Sequence, residues 1–474
     1  MASQRITAGR ERRGLRGRRE VSAPRPDDGG AAGASQPAIE TIGRSIWHAL
    51  PAHRGPAAAL DRRLDEALAR RADVRAALFR LVDVAPACDG PADVARHLTG
   101  YLADLDAPPR TIRALAAVSR SGPGARAVGA AGALGVKRVA RRFIAGESPA
   151  DARVVLRQLW SRGVASSVDL LGEASVTSEE ADAYAARCDA AIRMLRDVYA
   201  GTQALQPLDR DSRGMLPRAN LSVKVSALTP LLDPAAPARA IADAKPRLRA
   251  LLRAARDEGA HLHVDSEAFD TCATVVDLAL ELLGEPEFRD GPSAGVVLQA
   301  YLRESPAICA RLIEWAQGAG RSVPLTVRLV KGAYWDHELV EAAQLGWTPP
   351  VYTEKAASDR SFESLTGELL RARPSVRVAV ASHNLRSIAH AVALSRSLGG
   401  ADADVEIQVL RGLGDDLAAA LVAVGLRARM YCPVGDLVSG MAYLVRRLLE
   451  NTSNESFLAA QAHGVPLDEL LRAP

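Results

Sequence analysis

Beyond residue 162 the chain repeats one rhythm: a short run rich in β-branched residues, a longer helical stretch, then another run. The runs are VDLLGEA (168–174), LSVKVSAL (221–228), HLHVDSE (261–267), GVVLQAY (295–301), LTVRLVKGAY (325–334), VRVAVASHN (376–384), VEIQVLRG (405–412) and ARMYCPVG (428–435). Near-continuous apolar runs of this kind suit parallel strands covered on both faces. Eight of them alternating with helices over residues 163–460 predict an α/β fold, a closed (βα)8 barrel of the TIM type. The alternative, an open doubly wound sheet, lacks its glycine fingerprint. The nearest approach, Gly412-Leu-Gly414, continues Asp-Asp-Leu and follows the seventh run instead of the first.

The segment before the barrel has a different period. Over 46–162, stretches such as DRRLDEALARRADVRAALFRLVDV place apolar residues three and four apart, which predicts an all-helical arm. Residues 1–45 carry repeated Arg among Gly, Pro and Ser with little to bury, and are expected to be a disordered leader. Residues 461–474 are read as a C-terminal tail.

Composition narrows the function classes. Among 474 residues, 60 Lys and Arg stand against 56 Asp and Glu, a balance of +4 that implies no nucleic-acid surface. Only five of those basic residues are lysine, at 137, 224, 245, 331 and 355, so each lysine is a candidate for chemistry that arginine cannot perform. The five cysteines are scattered and form no CxxC pair, which fits free thiols, no metal site and a reducing, cytoplasmic setting. No apolar run approaches the roughly 18 residues of a membrane span, so at most peripheral contact with the inner membrane is expected.

In a barrel the C-terminal ends of the strands converge on one mouth, and polar groups there face a common cavity. The C-terminal halves of the runs carry Glu173, Lys224, Asp265, Gln299, Arg328, Lys331, His383 and Tyr431. Left unpaired in a buried site, such groups would cost about 1–3 kcal/mol each, so they bind one another or a ligand. Glu173 and Asp265 also suit plain ion-pair partners, and His383-Asn384 also suits a helix cap. Lys224 and Lys331 fit either an anion anchor or the nucleophile of a Schiff-base aldolase or lyase. The last helix adds Arg446 and Arg447, whose planar forks suit a small carboxylate.

Taken together, NLSVKVSAL (220–228), RLVKGAYWD (328–336), ASHN (381–384), and YCPVG followed by YLVRRLLENTSNESF (443–457) resemble the proline dehydrogenase domain of the bifunctional proline-utilisation flavoproteins. The likeness runs from FIAGE (143–147) and DLLGEA (169–174) to Phe457, and before it the chain matches only in helical character.

The resemblance implies a distorted (βα)8 barrel that holds FAD in its mouth without a Rossmann domain. It implies oxidation of L-proline to Δ1-pyrroline-5-carboxylate, the first step of proline catabolism to glutamate, with a quinone as electron acceptor. Lys224, Arg446 and Arg447 resemble the carboxylate anchors, and Glu173 the acid that pairs with Arg446 to close the site. Asp265, Tyr334, Leu410, Tyr431 and Tyr443 resemble the pocket around the proline ring. Arg328 resembles the residue beside the flavin N5, and with Asp265 it is expected to carry the catalysis. Gln299, Val330, Lys331, Gly332, Ala333, Trp335, Ser382, His383, Asn384 and Glu450 resemble the remaining FAD contacts. Ser382 stands where the family usually has Thr, and keeps the hydroxyl. Only 17 residues follow Phe457, so the aldehyde dehydrogenase half of the bifunctional relatives is expected to be absent from this chain. A separate pyrroline-5-carboxylate dehydrogenase would then take the product, unless the chain is a piece of a longer protein.

Overall fold

The computed structural model describes residues 33–51, 72–105, 113–114, 117–119, 121–172, 174–436, 440, 443 and 464–474. Eight parallel strands close into a barrel: β1 (Val164–Leu170), β2 (Asn220–Lys224), β3 (His261–Asp265), β4 (Ser293–Gln299), β5 (Leu325–Val330), β6 (Val376–Ala381), β7 (Val405–Leu410) and β8 (Arg427–Val434). Each lies within or against one of the eight runs. The ring is completed where β1 pairs with β8 along its whole length and with β2 at Val168 and Asp169.

The strands alternate more strictly than their apolar runs suggest. Val168, Leu221, Val264, Leu298, Val327, Val380, Ile407 and Met430 face outward into a single core with the surrounding helices. The residues between them face inward and are largely polar. Arg328 on β5 demonstrates this, because it bonds Ser167 on β1, Ser222 on β2, Asp265 on β3 and Gln408 on β7 across the lumen. Barrel lumens are usually filled by Val, Ile and Leu. Here ion pairs and hydrogen bonds take their place, so the expectation of strands apolar on both faces holds for the outer face alone.

A two-residue ribbon, Arg210–Asp211 with Gly214–Met215, sits at the N-terminal end of the barrel. Its Asp211 accepts two hydrogen bonds from Arg377, at 2.7 and 3.1 Å. Glu406 accepts from Arg429 at 2.8 Å and lies 3.5 Å from Arg427. These buried charges form the floor of the lumen.

The helical arm is present and divides its attachments. Helices Pro91–Ala103 and Gly122–Phe143 pack together, and their apolar stripe continues through Phe143 and Ile144 onto Leu171, Leu413 and Tyr443 at the barrel mouth. Arg142 fastens the junction by donating to the Gly412 carbonyl at 3.0 Å.

One boundary differs from expectation. The helix Gln36–His48 begins inside the segment read as a disordered leader, with Ser35 as its N-cap. It buries Ile39, Ile42 and Ile46 in the barrel core and is held by the C-terminal tail. There Leu471 is fully buried against Gly43, and its carbonyl accepts from Gln36 and Arg386. The Arg-rich composition upstream masked an isoleucine stripe of helical period, and residues 1–32 lie outside the described part of the chain.

Candidate active site

The strand ends bring most of the expected residues to one mouth. Lys224, Asp265, Gln299 and Leu410 are the last residues of β2, β3, β4 and β7. Arg328 and Val330 lie at the end of β5, with Lys331, Gly332, Ala333 and Tyr334 in the turn that follows. Ser382, His383 and Asn384 follow β6, and Tyr431 lies within β8. Glu173, Arg446, Arg447 and Glu450 lie outside the described residues.

At the centre Arg328 uses five N–H directions. Nε donates to Gln408 Oε1 at 2.7 Å, Nη1 to Asp265 Oδ1 at 2.6 Å and Ser222 Oγ at 3.1 Å, and Nη2 to Ser167 Oγ at 3.2 Å and Ser222 Oγ at 3.1 Å. Its guanidinium lies over the Tyr431 ring, 5.3 Å from the centroid. Tyr431 in turn donates its hydroxyl to Asp265 Oδ2 at 2.8 Å. Burial raises the Asp265 carboxyl above its ordinary range, against the pull of Arg328 and Lys224. Burial and the neighbouring Asp169 and Asp265 push the Tyr431 hydroxyl well up, so it stays a donor.

Beside this cluster Lys224 donates to Asp169, a residue that strand-end reasoning passed over. Burial opposes the Lys224 charge, but Asp169 and Asp265 outweigh it and hold the ammonium above its usual range. A Schiff-base nucleophile needs the opposite shift. Lys331 is also ion-paired, to Asp359, which accepts from Lys355 at 2.8 Å as well. Burial lowers Lys331 despite Asp359, and its ammonium lies 5.7 Å from the centroid of the Phe362 ring.

The remaining expected cofactor residues line the rim with mixed commitments. Gln299 is 2% exposed, and its Nε2 donates to Ser266 Oγ at 3.0 Å and to the Glu267 carbonyl at 2.8 Å, which leaves its Oε1 as the end a ligand can use. Gly332 has φ +131°, and a Cβ there would collide with the Tyr301 ring. The loop backbone therefore packs directly on that ring. Trp335 is 38% exposed and donates to the Tyr352 carbonyl at 2.8 Å. His383 Nε2 accepts from the Leu410 N–H at 3.0 Å, and Ser382 Oγ accepts from the Asn384 N–H at 3.1 Å. Asn384 caps the helix Leu385–Ser397 by accepting from Ser387 N at 2.9 Å, so its side-chain oxygen serves the turn. Leu410, Tyr431 and Tyr443 meet in one apolar cluster with the helical arm, which closes that side of the mouth.

Asp169, Ser167, Ser222, Glu406 and Gln408 are the site residues that the sequence reading missed. The signal was the spacing of two on each strand: Ser167 with Asp169, Ser222 with Lys224, Glu406 with Gln408. Outside the barrel, Cys88, Asp93 and His97 place ligand-type atoms close together. The Arg96 guanidinium already donates to Asp93 and lies 3.4 Å from His97 Nε2, so two of the three are engaged by a side-chain cation.

A closed ring of eight parallel strands that gathers ion-paired lysines, an arginine and carboxylates at its C-terminal mouth defines a protein of the (βα)8-barrel class. The family model described as "Proline dehydrogenase" matches residues 152–460, and "Proline utilization A N-terminal domain" matches residues 36–143. The chain belongs to the proline dehydrogenase family. The second match extends the likeness through the helical arm, which the sequence motifs alone had not reached. Bifunctional protein PutA of Klebsiella aerogenes is 34% identical over 352 residues, covering 72% of this chain and 26% of that protein. Proline dehydrogenase 1 of Bacillus subtilis is 26% identical over 326 residues, 69% of this chain and 91% of that protein. A crystal structure of proline utilization A from Bdellovibrio bacteriovorus inactivated by N-propargylglycine superposes with a TM-score of 0.83 at 34% identity, over 93% of this chain and 44% of that one. The chain thus spans about a quarter of the length of the PutA relative. Among the described residues no helix is long and apolar enough to cross a membrane.

Proposed function

We propose that this chain is an FAD-dependent proline dehydrogenase that oxidises L-proline to Δ1-pyrroline-5-carboxylate and passes the electrons to a quinone. The observation that carries the reading is the Arg328–Asp265–Tyr431 cluster beside the Lys224–Asp169 pair, in a barrel of this family.

The donor set fits a flavin. Arg328 bonds Ser222 through both Nη atoms, so one of those bonds can pass to a ligand atom while Ser222 stays satisfied. Gln299 offers an acceptor for a ring N–H, and Lys331 and Lys355 around Asp359 supply positive charge toward a pyrophosphate. The Gly332 backbone packs directly on the Tyr301 ring, which fixes the loop that would cradle the cofactor. When bound, the flavin supplies the hydride-accepting chemistry, and the protein supplies position and charge.

In this reading Lys224 keeps its charge for the proline carboxylate because Asp169 and Asp265 hold it protonated, with Arg446 and Arg447 as further anchors and Glu173 as the acid that closes over them. Tyr334, Leu410, Tyr431 and Tyr443 form the walls for the apolar ring. Both Asp265 oxygens are occupied, by Arg328 and Tyr431, so its role is to hold those two groups and lend negative charge beside the substrate ammonium. Desolvation among fixed cations lowers the cost of losing the ammonium proton before C5 is oxidised. The product is the substrate that a pyrroline-5-carboxylate dehydrogenase takes.

The test is anaerobic mixing of the FAD-loaded chain with L-proline, followed by a soluble quinone analogue. The expected result is bleaching of the flavin band near ~450 nm and its recovery on adding quinone. A bound flavin that proline does not bleach overturns the reading, and borohydride trapping of substrate on Lys331 or Lys224 would establish the lyase alternative instead.

A further inference from the structure

Arg328 is aimed from below by a chain of side chains that none of the strand-end motifs contains. Gln408 Oε1 accepts from Arg328 Nε at 2.7 Å, while Gln408 Nε2 donates to Glu406 Oε1 at 2.6 Å. The same Glu406 oxygen accepts from Arg429 Nε at 2.8 Å, and Arg429 Nη1 donates to the Ser166 carbonyl at 2.7 Å. The chain therefore runs from the β1 backbone through β8 and β7 to β5, and all of its side chains are buried.

Its polarity is fixed at one end. Burial opposes the Glu406 charge, but Arg429 and Arg427 outweigh it and hold the carboxyl well below its ordinary range, so Glu406 can only accept. The Gln408 amide must then turn its NH2 toward Glu406 and its oxygen toward Arg328. Turned the other way, an NH2 would face a guanidinium N–H, and two buried donors would go unmet. A planar guanidinium held at Nε by Gln408 and at Nη1 by Asp265 has its plane determined. Its Nη2 then points to Ser167 and Ser222 and cannot swing.

We propose that Gln408 is a positioning residue for Arg328, with Glu406 setting the direction of its amide, so that the guanidinium meets the cofactor ring at a fixed angle. This rests on the flavoenzyme reading above. Asp265, Ser167 and Ser222 hold the Nη end of the fork, and Gln408 fixes its Nε side without adding net charge beside the ring.

Three forms of the full chain test this: wild type, Gln408→Leu and Gln408→Met. Methionine has the length of glutamine but lacks its acceptor oxygen, so an effect common to both variants belongs to the lost hydrogen bond to Arg328 Nε and not to lost volume. In the FAD-loaded protein, Gln408→Leu is expected to slow flavin reduction by proline about tenfold or more and to shift the flavin absorption band. The KM for proline should change by less than about twofold. Gln408→Met should slow reduction by a similar factor. The Arg328 Nε–H, followed by nitrogen-15 NMR with and without FAD, should exchange slowly in wild type and rapidly in both variants. An unchanged Nε–H or an unchanged flavin band in Gln408→Leu overturns the proposal. So does a defect confined to KM, or a folded, FAD-loaded Gln408→Met variant that is reduced at the wild-type rate. If wild type itself binds FAD but is not reduced by proline, the proposed activity falls, and the Nε–H signal still decides whether Gln408 positions Arg328.

Discussion

The Lys224 ammonium, at the end of β2, donates to the Asp169 carboxylate, near the end of β1, with the lysine side chain 15% and the aspartate side chain 2% exposed. Burial alone would lower the Lys224 pKa. Asp169 is the strongest of the charges that reverse this, with Asp265 and Glu267 beside it. Asp169→Asn therefore lowers the pKa of Lys224. Wild type should hold a flatter proline KM across the alkaline range, and the variant should show a KM that climbs at lower pH as Lys224 loses its proton. A KM–pH profile identical to wild type would separate Lys224 from substrate binding.

Arg446→Met or Arg447→Met should raise the KM for proline, because removing one partner of a buried carboxylate costs about 2–5 kcal/mol, roughly thirtyfold or more. Arg328→Lys should behave differently. It keeps a positive charge against Asp265 but loses the fork, so the limiting rate of flavin reduction should fall by about a hundredfold while proline binding changes little. Stopped-flow reduction across a proline titration separates the two patterns, and a binding defect alone in Arg328→Lys would remove it from the flavin.

Gly332→Ala forces a methyl group into the Tyr301 ring at a φ of +131°. Tyr301 is buried, with a ring packed in the cluster of Cys272, Leu302 and Val351, so the loop 331–334 is expected to shift. Strain of this kind costs about 1–3 kcal/mol. The expected outcome is FAD affinity weakened about tenfold, measured by fluorescence titration, with the barrel still melting cooperatively. Unaltered affinity would show that this loop does not form the flavin cradle.

His261 and His263 are buried side by side in the lumen, with His261 Nε2 3.1 Å from His263 Nδ1. Burial, reinforced by nearby arginines, lowers His261 to about 3 and His263 well below its ordinary value. Both are neutral in the folded protein, whereas in the unfolded chain they take up protons below about pH 6.5. Their contribution to stability is therefore complete above about pH 6.5 and is lost as the pH falls from there toward about 3. Glu406, held below its usual range, adds a second loss below about pH 4.5. Denaturant midpoints should fall with pH from about 6.5 downward, and His261→Asn should flatten that slope by up to about one proton. A midpoint constant between about pH 6.5 and 5 would contradict the buried neutral pair.

Ribs of β-branched residues at eight places were legible because a buried parallel strand needs an apolar outer face whatever its neighbours are. The polar residues at the run ends were legible as a site because so many of them, left unpaired in buried strands, would be costly unless they met one another or a ligand. Lys224, Asp265, Gln299, Arg328 and Tyr431 all reach the mouth. Asp169 and Gln408 were passed over because their immediate neighbours in the chain are apolar and neither closes its run, and the meaning of each lies in a partner on another strand.

The sequence by itself determined the order and period of the elements, the polar character of the strand ends and the motifs of the family. Only the tertiary structure decided the pairings. Arg328 meets Asp265 across 63 residues of chain, and Lys224 meets Asp169 across 55. Helix Gln36–His48 is held by a carbonyl at Leu471, 435 residues away from Gln36. In a closed barrel, strand register and order select each partner across the lumen, and burial makes an unpartnered charge too costly to leave. Composition and spacing set neither register nor closure, so the same residues read along the chain name the participants without saying which of them touch.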